Sequence, residues 1–147
     1  MDSSLIYLTQ TDTTVGFLSS DDKKLSGAKQ RDSQQKILQV VNSFQKLTTQ
    51  VRVPQKHKKF IRRAKTSTFI YPNQLAFRVV GIASNHQNFL RKFNVMYSTS
   101  ANKTKNTFNK DYAIDKSDIV VYTKKQFQEN RASSIYKLNK KKKKKIR

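Results

Sequence analysis

The 147-residue sequence has no cysteine and no tryptophan, and it contains only three glycines and two prolines. Without cysteine the chain can form neither disulfides nor thiolate metal sites. Its two histidines, His57 and His86, stand in no HxH or HExxH pattern, so we expect no protein-bound metal. Three isolated glycines also exclude a glycine-rich phosphate loop of the Walker type. Any bound phosphate must therefore be held mainly by side chains.

Acidic residues and long apolar runs are scarce as well. Nine Asp and Glu stand against 31 Lys and Arg, which gives a formal net charge of +22. This excess favours phosphate-rich partners such as nucleotides, RNA or a membrane surface, although a lysine-biased genome explains it equally well. No segment approaches the roughly 20 apolar residues of a membrane span, and the start at Met1–Ser4 lacks the basic residues of a signal peptide. We therefore expect a soluble, cytoplasmic protein without membrane contact.

Short strand and helix patterns follow one another along the chain. The hydrophobic pattern predicts strands near residues 5–8, 37–41, 66–71, 74–80, 95–97, 119–122 and 135–138, and a further short apolar segment lies at residues 16–18. It predicts helices after a capping box at Ser19 and Asp22, at Ser43–Leu47, from Pro54 to about Arg63, and at Ser84–Phe93. A hairpin turn at Pro72 and Asn73 makes the sheet mixed, and the interleaving indicates one α/β domain.

The end of the chain carries six consecutive lysines, Lys140–Lys145. Like charges at this density repel one another, so we expect the block to be disordered or to fray from a short helix. The predicted organisation is a domain over residues 1–138 followed by a lysine-rich tail over residues 139–147. Within the domain there is no internal repeat.

Polar residues collect in four short segments, at residues 11–13, 29–31, 66–68 and 98–102. Side chains two residues apart point the same way in extended backbone, so Lys29 and Arg31 can direct two cations at one anion. Ser100 and Asn102 can add neutral hydrogen bonds, and we expect all four side chains to line one concave surface. Each segment taken alone is more often solvated surface, a turn or a helix cap.

Together and in this order, the segments resemble the YrdC-like threonylcarbamoyl-adenylate synthase family. The family motif P-T-D/E-T-x-Y-G-L is similar to Gln10–Phe17, its K-x-R signature falls on Lys29 and Arg31, and its S-x-N signature falls on Ser100 and Asn102. Weaker matches extend the resemblance over nearly the whole chain, at Thr68, Arg78, Ser133–Tyr136 and Ile146–Arg147. The chain departs from the family at Val15, Asp32 and Val80, where the family has Tyr, Pro and Pro. Val15 in place of the family's Tyr is expected to remove an aromatic wall beside the amino-acid substrate.

The resemblance implies a single YrdC-like domain, with a twisted, mixed, open sheet, flanking helices and a basic concave cleft. It assigns nucleotide and phosphate binding to seven residues, Lys29, Arg31, Thr68, Ser98, Ser100, Asn102 and Ser134. It assigns threonine binding to Thr11, Thr13 and Arg78. It implies no catalytic side chain and no metal ligand.

The activity that the resemblance implies joins L-threonine, bicarbonate and ATP, with Mg²⁺ entering on the ATP, to give threonylcarbamoyl-adenylate and pyrophosphate. A threonylcarbamoyl-transferase complex would then use this product to modify tRNA. Two alternatives stay open: a non-catalytic protein that binds double-stranded RNA or tRNA in the same cleft, and a degenerate relative without a specific ligand. Pyrophosphate release that depends on ATP distinguishes the first activity, and salt-sensitive RNA retention without turnover distinguishes RNA binding.

Overall fold

A nine-stranded mixed β-sheet forms the centre of the computed structural model, which describes residues 1–147. The strands are β1 (Tyr7–Gln10), β2 (Val15–Ser19), β3 (Leu38–Val41), β4 (Ser67–Ile70), β5 (Ala76–Val79), β6 (Val95–Ser100), β7 (Ile119–Val120), β8 (Ser134–Leu138) and β9 (Lys143–Lys145). Across the sheet they lie in the order β7-β1-β2-β6-β3-β5-β4-β8-β9. Three neighbouring pairs are parallel, β1 with β7, β3 with β5 and β4 with β8, and the others are antiparallel. The expected α/β domain with a mixed open sheet is confirmed.

Five short α-helices and one 3-10 helix flank the sheet. They are α1 (Asp22–Ala28), α2 (Phe44–Gln50), the 3-10 helix Gln55–His57, α3 (Lys58–Arg63), α4 (Asn85–Leu90) and α5 (Lys110–Lys116). The helix expected from Pro54 is therefore present in two parts, a 3-10 turn followed by α3. None of the helices combines the length and the apolar character needed to traverse a lipid bilayer.

Polar side chains begin most of the helices. Ser43, Ser84 and Asn109 cap α2, α4 and α5 by accepting a hydrogen bond from an amide in the first turn. Asp21 caps α1 and accepts from two first-turn amides at 3.0 and 3.1 Å. The expected capping box at Ser19 is therefore wrong, because Ser19 is the last residue of β2.

The core consists of three hydrophobic clusters on the two faces of the sheet. On one face, α1 and α5 cover a first cluster that contains Val15 and Phe17, and α2 and α3 cover a second that contains Phe77. On the opposite face, α4 alone packs through Leu90 against a third cluster that contains Leu18. Side chains alternate between the faces along each strand, so Phe17 and Leu18 enter different clusters. Because α4 has only six residues, much of the sheet face on which it packs stays uncovered.

The hairpin expected around Pro72 and Asn73 is confirmed. β4 and β5 pair antiparallel, with Phe69 opposite Phe77. Both phenylalanines pack into the second cluster, whereas Arg78 lies on the other face of β5. The period-two alternation of this strand therefore separates its core face from its polar face.

The lysine block is ordered, so the expectation of a disordered or frayed end is wrong. Lys143–Lys145 form β9, which pairs antiparallel with β8. Asn139 turns the chain between the two strands, and its Oδ1 accepts hydrogen bonds from the amides of Lys141 and Lys142 at 2.9 and 2.7 Å. The lysine side chains are exposed, as the charge density requires. Solvent separates the charges while the backbone gains ladder hydrogen bonds.

Removing residues 139–147 deletes β9, so we expect the shortened chain to unfold at a lower denaturant concentration than the full chain. Losing a few backbone hydrogen bonds at roughly 0.5–1.5 kcal/mol each corresponds to about 2–4 kcal/mol. Urea unfolding followed by circular dichroism measures the difference. The control is a full-length chain with Lys143, Lys144 and Lys145 changed to Thr, which keeps the strand and should retain stability. Equal midpoints for the shortened and full chains would contradict a structural role for β9.

Candidate functional site

A cleft of about 190 Å³ opens on the face of the sheet that α4 leaves uncovered. Seven of its twelve lining residues carry hydroxyl groups, two are arginines and none is acidic. The seven hydroxyl residues are Thr11, Thr13, Thr14, Ser98, Thr99, Ser100 and Ser133, and the arginines are Arg78 and Arg147. The other three lining residues are Gly16, Leu38 and Ala132. Hydroxyl groups beside two guanidinium groups make this cleft suited to an anion.

A tight turn between β1 and β2 forms one wall of the cleft. The amide of Thr11 donates to the carbonyl of Thr14 at 3.0 Å, and Thr11 Oγ1 lies 3.3 Å from Thr13 Oγ1. Gly16 follows the turn, and a Cβ at that position would lie 2.9 Å from the Thr99 carbonyl oxygen and 3.0 Å from the Thr11 methyl group. A side chain there would push the turn away from β6, so glycine allows the close approach.

Asp12 holds Arg78 in place from behind the lining. Arg78 is only 4% exposed. Its Nη2 lies 3.4 Å from Asp12 Oδ1, and its Nη1 donates to Thr13 Oγ1 at 3.2 Å. Nδ1 of His86 in α4 accepts a hydrogen bond from the amide of Asp12 at 3.3 Å and also lies 3.3 Å from the same carboxylate oxygen. Burial acts to raise the pKa of Asp12, but the hydrogen bond with His86 and the charge of Arg78 outweigh it and lower the pKa overall. An ionised carboxylate therefore orients the arginine.

The two arginines of the cleft influence each other. Burial lowers the pKa of Arg78, Asp12 opposes that shift, and the charge of Arg147 adds to it. Arg147 is itself fixed by Ser133, since its Nε donates to the carbonyl at 3.0 Å and its Nη2 to the hydroxyl at 3.3 Å. An anion between the two guanidinium groups would relieve their repulsion.

Lys29 is buried beside the cleft instead of projecting into it. Its Nζ lies 3.0 to 3.3 Å from four oxygen atoms, the carbonyl and side-chain oxygens of Ser100 and Asn102. Burial, followed by the adjacent charge of Arg31, lowers the pKa of Lys29 from 10.5 to about 8. The expected meeting of Lys29 with Ser100 and Asn102 is therefore present, although Lys29 and Asn102 do not line the cleft.

The extended backbone expected at Lys29–Arg31 is wrong. α1 ends here in a Schellman motif: the amide of Gln30 donates to Gly27 and that of Arg31 donates to Ser26, both at 3.0 Å. Gln30 adopts a left-handed φ of 52°, so the chain reverses between the two cations. Arg31 donates through Nη2 to the carbonyl of Lys36 at 2.9 Å and is not part of the cleft lining.

The late serine of the site lies one position earlier than expected. Ser133 lines the cleft, and its hydroxyl lies 3.0 Å from Thr68 Oγ1. Ser134 is paired with Ser67 in the sheet and does not line the cleft. Sequence reasoning gave neither Ser133 nor Arg147 a role. Both occur inside weak family matches, and a shift of one residue along a strand reverses the face that a side chain occupies.

Val15 does not face the cleft. It is 1% exposed and packs in the first hydrophobic cluster, on the face of β2 opposite to Gly16. The expected loss of an aromatic wall at this position is therefore wrong for this cleft.

Comparisons with known proteins identify a fold, not a close relative. The sequence matches no model of a known protein family and no curated protein. A double-alanine variant of Sua5 from P. abyssi superposes with a TM-score of 0.79 at 12% identity, covering 98% of this chain and 52% of the Sua5 chain. Sua5 from P. abyssi complexed with L-threonine gives a TM-score of 0.78 at 13% identity, with 98% and 50% covered. YciO from E. coli gives 0.76 at 12% identity, with 98% and 82% covered.

The molecule is thus an α/β domain whose sheet is covered unequally and carries an anion-suited cleft on its open face. Its fold is that of the YrdC/Sua5 domains, which confirms the fold that the sequence resemblance implied. The chain spans about half the length of the Sua5 chains that it matches. The ligand roles of the individual residues stay predictions.

Asp12→Asn removes the charge that faces buried Arg78, so we expect the variant to be less stable than the wild type near neutral pH. Breaking a buried ion pair costs roughly 3 kcal/mol. A carboxylate with a lowered pKa stabilises the folded chain above its ordinary pKa of 3.8, and this contribution disappears as the pH falls through the folded value. The difference should therefore shrink as the pH falls below 3.8 and through the lowered pKa of Asp12 in the folded chain. Urea unfolding at several pH values measures it.

The matched control is Asp115→Asn, which removes the same charge from a largely exposed side chain. It should leave the unfolding midpoint nearly unchanged at every pH. A deficit of Asp12→Asn that stayed constant down to the lowest pH would show that the charge of Asp12 is not what stabilises the cleft.

Proposed function

We propose that the cleft binds the phosphates of ATP, and that the chain is a threonylcarbamoyl-adenylate synthase-like enzyme acting in tRNA modification. The observation that carries this proposal is the convergence of Arg78 and Arg147 with seven hydroxyl residues in an acid-free cleft on a YrdC-like fold. L-Threonine as a substrate is supported by the Sua5 structure that is complexed with this amino acid.

The charge arrangement favours a phosphoryl or carboxylate group. A guanidinium group presents a planar fork of N–H donors that matches two oxygens of one anion, and serine and threonine hydroxyls add donors that need no charge. Asp12, which pairs with Arg78, lies outside the lining, so its carboxylate does not contact an anion in the cleft directly. Side chains therefore do here what a glycine-rich loop does in other nucleotide-binding proteins.

The cleft is smaller than a whole nucleotide requires. Its volume of about 190 Å³ lies below the roughly 300–1,000 Å³ of typical small-molecule sites. We infer that it holds the reacting phosphoryl group and the threonine, next to Thr11, Thr13 and Arg78. The remainder of the ATP would lie along the rim near Ser100 and Asn102.

The proposed reaction is adenylyl transfer. The threonine amine combines with bicarbonate to give a carbamate and water, an oxygen of the carbamate attacks the α-phosphorus of ATP, and pyrophosphate leaves. The contribution of the chain is to position the reactants and to neutralise charge that develops on the phosphoryl oxygens. No group of three or more His, Asp or Glu side chains is placed to hold a metal ion. Mg²⁺ would enter as part of the ATP substrate and neutralise its phosphates.

A non-catalytic RNA-binding protein is the second candidate. The same pair of arginines would accept a backbone phosphate of double-stranded RNA or tRNA, and the net charge of +22 favours such a partner. This candidate predicts RNA retention without any nucleotide turnover. A threonylcarbamoyl-transferase complex as a downstream partner belongs only to the enzymatic proposal.

Arg147→Gln removes one of the two guanidinium groups, so we expect the affinity for Mg-ATP to fall by about tenfold to a hundredfold. This range corresponds to one charge-assisted hydrogen-bonded contact of roughly 1.5–3 kcal/mol. Calorimetry measures the affinity, and release of pyrophosphate in the presence of L-threonine, bicarbonate and Mg-ATP measures the activity. Activity should fall together with affinity.

Arg91→Gln provides the control, because Arg91 is an exposed arginine at the end of α4 that lies outside the cleft lining. It removes the same charge and should change ATP binding less than twofold, as expected for a remote surface charge. Equal small losses in both variants would refute the site. Pyrophosphate release that is absent from the wild type at saturating substrates would refute the enzymatic proposal and leave RNA binding.

A further inference from the structure

Charges of opposite sign are segregated in the fold. None of the nine Asp and Glu lies in residues 33–110 or 130–147, and these two segments carry 24 of the 31 Lys and Arg. The two segments supply β3, β4, β5, β6, β8 and β9, which are six consecutive strands of the sheet. β1, β2 and β7 form the other side of the sheet and come from the parts of the chain that contain every acid. One half of the molecule is therefore acid-free and strongly positive.

A groove of about 830 Å³ lies in this acid-free half, and four cationic side chains line it. Arg52, Lys56 and Lys58 belong to the segment around the 3-10 helix, whereas Lys140 belongs to the turn between β8 and β9. We call it the basic groove. The cleft lies beside Ser133 at the start of β8, and the basic groove lies beyond the end of that five-residue strand. The two sites are therefore roughly 15 Å apart along the strand.

The backbone around the basic groove is fixed by specific hydrogen bonds. His57 Nε2 lies 3.0 Å from the carbonyl oxygen of Asn139, which joins the 3-10 helix to the β8–β9 turn. The side chain of Asn139 in turn accepts from the amides of Lys141 and Lys142. Lys56 and Lys140 are 84 positions apart in the sequence, yet this contact holds their segments together. Preorganised cations bind an anion at lower entropic cost than flexible ones.

The cations of this region have no internal counter-charge. The ion pairs of the molecule involve only Asp12 and Asp115, neither of which is near the basic groove. Two neighbouring cations lie over aromatic rings, Lys143 at 3.7 Å and Arg62 at 4.7 Å from the ring centroids. Like charges concentrated in this way repel one another unless an external polyanion neutralises them.

We propose that the basic groove binds the sugar–phosphate backbone of RNA, at a surface separate from the cleft. Lysine-rich lining suits phosphate contacts that do not read sequence. A membrane surface fits less well, because none of the exposed large hydrophobic residues lines the groove and peripheral membrane binding uses apolar insertion beside the charges. The surface goes beyond the proposed function, since RNA can bind here whether or not the cleft turns over ATP.

The test compares two full-length triple variants that lose the same charge. The groove variant changes Lys56, Lys58 and Lys140 to Gln. The control variant changes Lys23, Lys24 and Lys124 to Gln, which are exposed lysines from the parts of the chain that contain the acids. Fluorescence anisotropy with a labelled RNA duplex of about 20 base pairs, over about 50 to 200 mM salt, measures both affinity and its salt dependence.

We expect the groove variant to bind the duplex at least about tenfold more weakly and to lower the slope of log K against log salt by about 2 to 3, near 0.9 for each lost contact. The control variant should change the slope by less than about 1. Equal losses in the two variants would overturn the proposal in favour of diffuse charge attraction. Unchanged RNA binding with lost binding to vesicles of about one-third phosphatidylserine would assign the groove to a membrane instead.

Measurements on the cleft keep this test separate from the enzymatic proposal. Calorimetry with Mg-ATP should give the same affinity for the groove variant as for the wild type, because none of its three changed residues lines the cleft. Thermal unfolding at the wild-type temperature shows that the variant is folded. A groove variant that lost ATP binding and RNA binding together, while still folded, would show that the basic groove and the cleft act as one site and would overturn a separate surface.

Discussion

A single buried ammonium group joins the parts of the chain from which the cleft is made. Lys29 ends α1 on one side of the sheet, and its Nζ is surrounded by oxygens of Ser100 and Asn102 beyond the end of β6. Its own carbonyl accepts hydrogen bonds from the amide and the hydroxyl of Thr104. All partners of the ammonium group are neutral, so its charge is stabilised by dipoles alone. The end of β6, which lines the cleft with Ser98 and Ser100, is thereby tied to α1.

Unequal coverage of the sheet explains why a site exists on one face only. Four helices bury one face, and α4 covers just part of the other. α4 has a second role, because Nδ1 of its His86 accepts a hydrogen bond from the amide of Asp12, whose carboxylate in turn pairs with Arg78. The hydrophobic packing of one short helix and the electrostatics of the cleft are therefore coupled. A change in the packing of Leu90 would therefore shift His86 and, through Asp12, the position of the Arg78 side chain.

Prediction from the sequence succeeded where the structure follows from a local hydrophobic pattern. It failed where the structure depends on a partner strand or on one backbone dihedral angle. The β4–β5 hairpin follows from alternation and a Pro-Asn turn, and the two strands pair antiparallel. The meeting of Lys29 with Ser100 was inferred from two motifs, but the route was wrong because a left-handed Gln30 cannot be read from composition. α5 was missed because the apolar residues of this polar segment form no extended helical pattern.

Lys143–Lys145 shows why β9 was not predictable from its own residues. Three lysines have no strand pattern, and the strand exists because β8 offers an unpaired edge. Ser133 and Ser134 show a similar dependence, since only the pairing of β8 with β4 decides which hydroxyl faces the cleft. Information of this kind lies in the partner strand and not in the segment itself.

The two outer strands also determine how the domain behaves towards other copies of itself. An open sheet presents unpaired N–H and C=O groups at each edge, and a neighbouring molecule can extend the sheet there. One edge is β7, with only two residues, and the other is β9, in which every side chain is a lysine. A second copy that paired through its own β9 would bring its lysines against these, so this edge is protected from pairing with itself. A polyanion is not repelled at this edge, because the lysines of β9 that repel a second β9 attract negative charge.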